Sequence, residues 1–126
     1  CALSNKTFKM RNILNINGDK ITYQSKPELD LINYCNINNI IIENGPKVKY
    51  MFNDKERTYK IDFMIRDLNI LIEIKDNHIW HKKQVESGRW KLKENSAKDY
   101  CIKNNMKYHL IFPENIEELK KIIIKI

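Results

Sequence analysis

The chain has 126 residues, 42% of them hydrophobic and 31% charged, with a formal net charge of +7 and a pI near 9.3. That length suits one domain with one substantial core. No apolar run is long enough to cross a bilayer, and no charged-then-apolar signal segment opens the chain. The positive balance favours polyanionic partners, nucleic acid first, although frequent Lys, Asn and Ile would also follow from an AT-rich coding sequence. Cys1, Cys35 and Cys101 cannot all pair and no CxxC occurs. This leads us to expect an intracellular, reducing compartment, cytoplasm or nucleus of the host cell, with Cys35 and Cys101 as small core residues. A first residue that is Cys1 rather than Met suggests a fragment or a processed piece of a longer protein.

In chain order, "MRNILNINGDKITYQ" over 10–24 reads as a hairpin around Asn17-Gly18, a strong turn signal. Ser25 is a good N-cap, Pro27 suits a first helical turn, and Leu29, Ile32 and Cys35 recur at helical spacing, which predicts a helix over 26–37. A turn at Asn44-Gly45-Pro46 precedes strands at 47–52, about 57–65 and about 69–75. Residues 76–85 read as a polar, aromatic-bearing loop, and 86–104 as a helix with Trp90, Ala97 and Cys101 on one face. "KYHLIF" is a strand stopped by Pro113, and "NIEELKKIIIKI" a closing amphipathic helix. Helix, three-strand meander, helix, strand, helix implies an α/β fold with a mixed sheet flanked by helices. We expect residues 1–24 to be an N-terminal hairpin extension and 25–126 a single core domain.

Within "IDFMIRDLNILIEIKDNHIW", Asp62, Glu73 and Lys75 sit inside otherwise apolar strands. A buried charge costs several kcal/mol unless it is paired or holds a metal. Side chains alternate along a strand, so Lys60, Asp62 and Met64 share a face, opposite Tyr59, Ile61, Phe63 and Ile65. Whether the turn has two residues (67–68) or four (66–69), Ile65 pairs with Ile70 and Asp62 falls opposite Glu73. Facing Cβ atoms lie about 4.5–5.5 Å apart, and two carboxylates that close repel unless a cation lies between them. Lys75 points to the same side. Oxygen ligands on a rigid sheet suit Mg²⁺, a divalent ion polarises a phosphate and activates water, and a lysine beside it orients that water and offsets charge. The alternative is ordinary pairing of Asp62 and Glu73 with Lys60 and Lys75 on an exposed sheet face.

"KID…IEIK", together with the order of elements over 25–112, resembles the PD-(D/E)xK nuclease superfamily, with Ile61 standing where many members have Pro. "IEIKDNHIWH" followed by "RWKLKENSAKDYCIKNNMKYHLIF" is similar to the very-short-patch repair endonucleases and their homing-endonuclease relatives, with Trp80, His81, Trp90, Asn95 and Asp99 at matching positions. The resemblance implies a restriction-endonuclease-like core and a Mg²⁺-dependent DNA endonuclease of the homing or mobile-element branch, with Mn²⁺ as a substitute ion. Its metal ligands would be Asp62, Glu73 and the carbonyl of Ile74. Lys75 would position the attacking water, and His81 would assist it. Glu28 matches the acid that the family's first helix often bears, but Ser25-x-x-Glu28 is equally a capping box.

Trp80, among His78, His81, Lys82 and Lys83, suits stacking on a base. Lys82, Lys83, Arg89, Lys91, Lys93 and Lys98 would grip the backbone of double-stranded DNA; the bland reading is a solvated helix face with Glu94 and Lys98 as an i,i+4 pair. Cutting both strands with one site per chain would require a homodimer or sequential nicks. Competing readings are a catalytically inactive DNA-binding module of the same fold, a mismatch or branched-DNA repair endonuclease, and a small protein-interaction domain.

Overall fold

The computed structural model describes residues 10–75 and 78–124, except for the side chain of Trp80. Strands β1 (Arg11–Leu14) and β2 (Lys20–Tyr23) form the expected N-terminal hairpin. Its loop spans 15–19 and is organised by buried Asn15, whose Oδ1 accepts the Asn17 and Asp19 amides while its Nδ2 donates to the Ile42 carbonyl. The hairpin is joined to the rest of the protein, since Ile21 is buried in the main core. Asn44 Oδ1 accepts the Thr22 amide at 2.9 Å. Helix α1 (Lys26–Ile37) has the bounds its sequence signals predict, with Ser25 as N-cap and Leu31, Ile32 and Cys35 buried.

Beyond α1 the strands are β3 (Glu43–Asn44), β4 (Lys47–Phe52), β5 (Lys55–Lys60), β6 (Phe63–Ile65) and β7 (Ile70–Ile74). The strand expected over 57–65 is therefore two strands. Pairing runs in one register from Lys47↔Lys60 to Asn44↔Phe63. The ladder bends between them, where Ile61 N–H donates to the Pro46 carbonyl and Gly45 N–H to the Asp62 carbonyl. The backbones come so close at this bend that a Cβ on Gly45 would lie 2.5 Å from the Ile61 carbonyl oxygen. The meander consequently divides into a two-stranded ribbon, β4–β5, and part of a four-stranded sheet in the order β3-β6-β7-β8, where β8 is Lys107–Ile111.

Helix α2 (His78–Glu86) occupies the stretch expected to be a loop. Gly88, at φ +82°, separates it from α3 (Arg89–Asn104). The sequence hides α2 because, among its described side chains, apolar Ile79 and Val85 are both exposed and leave no buried stripe to generate a periodicity. Strand β8 (Lys107–Ile111) joins β7 in parallel, and α4 (Ile116–Ile124) closes the fold as expected. The architecture is mixed α/β.

The four-stranded sheet is buried on both faces. Phe63, Ile65, Ile70, Ile72 and Ile74 pack with α1 and α4 through Leu31, Ile32, Leu119 and Ile123. On the other face Met64 and Leu71 pack with Trp90, Ala97 and Cys101 of α3 and with Val48, Tyr50 and Tyr59 of the ribbon. A strand buried on both sides reads as a nearly continuous apolar run, which is the character of "ILIEI".

Gly45→Ala is expected to destabilise the protein by about 1–3 kcal/mol, because the new methyl meets backbone that cannot rotate away. Urea unfolding measures this, with Gly18→Ala, where a Cβ meets nothing within 4 Å, as the comparison that isolates crowding from loop strain.

Candidate active site

The β6–β7 hairpin sets the site. Ile65↔Ile70, Met64↔Leu71 and Phe63↔Ile72 are partners across a four-residue turn, so Asp62 lies opposite Glu73 as the strand alternation predicts. Each acid accepts a backbone amide from the segment facing it. Asp62 N–H donates to Glu73 Oε1 at 3.1 Å, and Ile74 N–H donates to Asp62 Oδ2 at 2.9 Å. Each carboxylate is thus fixed by the strand facing it rather than by its own.

Glu73 is 5% exposed, a rare setting for a carboxylate. Its second oxygen receives Lys75 Nζ at 3.2 Å. That ammonium also lies 4.6 Å from the centre of the Trp90 ring, so Trp90 is a core residue, as its helix face predicts, that also braces the site lysine. The Tyr59 hydroxyl meets that of Tyr108 at 2.8 Å, close enough to Glu73 to favour its charged form. Strand alternation assigns Tyr59 to the face away from the acids. The bend at Ile61–Asp62 breaks that alternation, which is why Tyr59 reaches Glu73 and why Ile61 shares a core with Met64.

Burial pushes both acids up from the ordinary carboxylate range. For Asp62 the negative charges of Glu73 and Glu28 add to the rise, against the Ile74 amide and Lys75. For Glu73, Lys75 is the largest opposing influence, followed by the Asp62 amide and Tyr59. Burial likewise raises Tyr59 and Tyr108, so both remain hydroxyl donors.

Glu28 caps α1 and also borders the pocket beside Asp62. Its Oε2 accepts from Ser25 Oγ at 2.7 Å, and its amide donates to Ser25 Oγ at 3.4 Å. It also lines a small pocket of about 180 Å³ with Asp62, Lys60, Asn44, Thr22, Gln24 and Met10, and burial raises its pKa. Among the described residues, no group of three or more His, Cys, Asp or Glu side chains is close enough to hold a metal by itself. Asp62 and Glu73 are the two facing carboxylates of the site, with Glu28 as an acidic neighbour at the pocket.

Ordinary pairing on an exposed sheet face is only partly what occurs: Glu73 pairs with Lys75, but the pair is buried, and Lys60 is paired with neither acid among the described residues. His81 is half-buried, edge-on to Trp90 at 4.8 Å and Phe112 at 5.4 Å. Its pKa is lowered by burial and then by Lys75, and its Nδ1 is buried without a partner among the described residues. His78 instead stacks on Phe112 at 4.5 Å and meets Glu114 at 3.2 Å.

The basic set expected to grip DNA divides by environment. Lys82, Lys83 and Lys91 are exposed, and Lys98 is exposed at 3.7 Å from Glu94, the expected i,i+4 pair. Arg89 donates to the Tyr50 hydroxyl at 2.8 Å and lies over the Tyr50 and Phe52 rings, so it fastens the ribbon to α3. Lys93 turns inward, 5.4 Å from the Tyr59 ring centre and 3.3 Å from Gln84 Oε1. Burial, then Lys75 and Arg89, lower its pKa to about 8, against attraction from Glu73 and Asp62. Asn95 and Asp99 are exposed on α3, and the side chain of Trp80 lies outside the described residues. Sequence reasoning missed Tyr59 and Tyr108 as partners of the acids; a tyrosine in each of two strands is ordinary core composition, and only the bend converts them.

Two like charges held close in a buried site oppose folding. With folded pKa values above the unfolded ones, the acids bind more protons in the folded state, so this contribution lowers stability as pH rises from the ordinary carboxylate range through the folded pKa values. Asp62→Asn, which keeps an acceptor for the Ile74 amide, is expected to raise stability by about 1 kcal/mol in metal-free buffer at pH 7. Differential scanning calorimetry reads this as a higher Tm, with the gain shrinking as pH is lowered.

No protein-family model matches the chain, and neither a curated protein nor a solved structure matches it.

Proposed function

We propose that the protein is a Mg²⁺-dependent DNA endonuclease of PD-(D/E)xK type, with a restriction-endonuclease-like core. The observation that carries this reading is the crossed arrangement of half-buried Asp62 and buried Glu73, facing each other across the hairpin with Lys75 against Glu73. The donor set suits Mg²⁺, which is commonly held by one or two carboxylates and keeps several waters. Asp62, Glu73 and the Ile74 carbonyl would hold it, and the surplus of negative charge from Glu28 would be compensated by a divalent ion, for which Mn²⁺ would substitute. When bound, the ion supplies polarisation of the phosphate and activation of water.

The chain's own residues do the rest. Lys75, braced by Glu73 and Trp90, orients the attacking water and offsets charge on the phosphorane. Tyr59 and Tyr108, bonded to each other, flank Glu73. His81, held below its ordinary pKa, is a neutral group beside Lys75 able to take a proton. Lys93 brings a second ammonium to the substrate side. Lys82, Lys83, Lys91 and Lys98 contribute backbone attraction, as would Trp80 by stacking. The homing or mobile-element branch, the duplex as substrate and a homodimer for double-strand cleavage belong to the same proposal, as does function inside a reducing compartment.

Plasmid nicking in Mg²⁺ tests it. Wild type is expected to relax supercoiled DNA, with no activity in EDTA, and Glu73→Ala and Lys75→Ala are each expected to lose at least about a hundredfold. Equal nicking by all three would overturn the reading; DNA retention without nicking would favour the inactive binding module.

Lys93 gives a pH signature. Its charge is lost as pH rises through about 8, so any rate contribution requiring the ammonium declines above that value. Lys93→Met is expected to lower cleavage at pH 7 by about tenfold and to remove that decline, while Lys93→Arg keeps the rate into alkaline buffer. Single-turnover rates between pH 6 and 9.5 check this.

A further inference from the structure

The outer face of the β4–β5 ribbon is cationic, and its charges face one another. Lys47, Lys49 and Met51 on β4 lie opposite Lys60, Thr58 and Glu56 on β5, and all six are exposed. Lys47 and Lys60 are direct partners, an arrangement that destabilises a strand pair. Among the described residues no ion pair involves Lys47, Lys49 or Lys60, although Lys49 donates to Thr58 Oγ1 at 3.0 Å. The three lysines gather at the end of the ribbon nearest the bend, while the one acid of this face, Glu56, is near the tip.

Three observations make this face more than a solvated surface. Lys60 also lines the pocket containing Asp62 and Glu28, so the lysine face runs directly into the acid site. The ribbon's inner face is anchored through Tyr50 and Tyr59, through Arg89 across Tyr50 and Phe52, and through Ser96 Oγ, which donates to the Lys49 carbonyl at 2.9 Å. The element is therefore held at a set angle to the site. Its six residues per strand extend about 20 Å, and a two-stranded ribbon fits the major groove of B-DNA.

We propose that the β4–β5 ribbon is the duplex-engaging arm of the protein. Lys47, Lys49 and Lys60 hold phosphates next to the cleavage site, and the tip, with exposed Met51, reaches into the adjoining groove. This deepens the nuclease reading and rests on it for the identity of the polyanion as duplex DNA. A facing lysine pair that weakens the free protein is compensated once phosphate lies between the two ammonium groups.

The test uses the full chain carrying Asp62→Asn, in EDTA, so that binding is read without cleavage. Fluorescence anisotropy with a 20-base-pair duplex is recorded from 50 to 300 mM salt. Lys47→Gln/Lys49→Gln is expected to weaken binding about tenfold at 100 mM salt and to reduce the salt slope by about two. Lys121→Gln on α4 is expected to change neither. The same double variant is expected to unfold at a higher temperature, a gain that a misfolded variant would not show. An unchanged slope in the double variant would overturn the inference while leaving the nuclease reading intact. Failure of the parent chain to bind duplex at any salt, or binding of duplex RNA with equal affinity and slope, would overturn the assignment of duplex DNA. Ribbon-dependent binding with no Mg²⁺-dependent nicking by wild type would support the arm and sink the nuclease.

Discussion

The site depends on a reciprocal exchange: Asp62 takes the amide of Ile74 and gives its own amide to Glu73. Neither carboxylate can swing away without leaving a backbone amide of the site unpaired, and an unsatisfied buried donor costs about 1–3 kcal/mol. Electrostatics pushes the acids apart while the backbone holds them together. The result is a pair of carboxylates fixed across the hairpin, Glu73 on the buried strand β7 and Asp62 in the bend that faces it. Lys75 then pairs with the other oxygen of Glu73, leaving Asp62 and Glu28 bordering the pocket.

The bend at Gly45–Pro46 against Ile61–Asp62 connects this pair to the rest of the molecule. It ends the central sheet one residue from Asp62, turns the ribbon away, and moves Tyr59 from the face its position in the strand predicts to the face of the acids. Asn44 fastens the bend to the N-terminal hairpin, with Nδ2 donating to the carbonyls of both Thr22 and Asp62. A hairpin that reads as an appendage in the sequence thereby supports the geometry of the site.

Some of this was legible in the sequence. Period-two alternation and a short turn were enough to place Asp62 opposite Glu73, because local pairing has few alternatives once both strands are apolar. The capping residues of α1 were local as well. What could not be read was non-local: the bend needs Gly45 against Ile61, a contact across the ladder with no marker in either segment alone. Lys91 and Lys93 look equivalent on paper, two residues apart on one helix; only the packing of α3 against Tyr59 separates a solvated charge from one pressed toward the acids. Helix α2 was missed because an apolar pattern records burial, and its Ile79 and Val85 are not buried.

The two cores on either side of the sheet each hold one thiol. Cys35 lies beneath α1, its pKa pushed up to about 12 by burial, and Cys101 lies beneath α3, raised by the same cause. Both sulfurs are shielded from water and from reagents while the layers stay closed. Alkylation of one or the other would consequently register which layer has lifted off the sheet, giving each side of the molecule its own chemical reporter of opening.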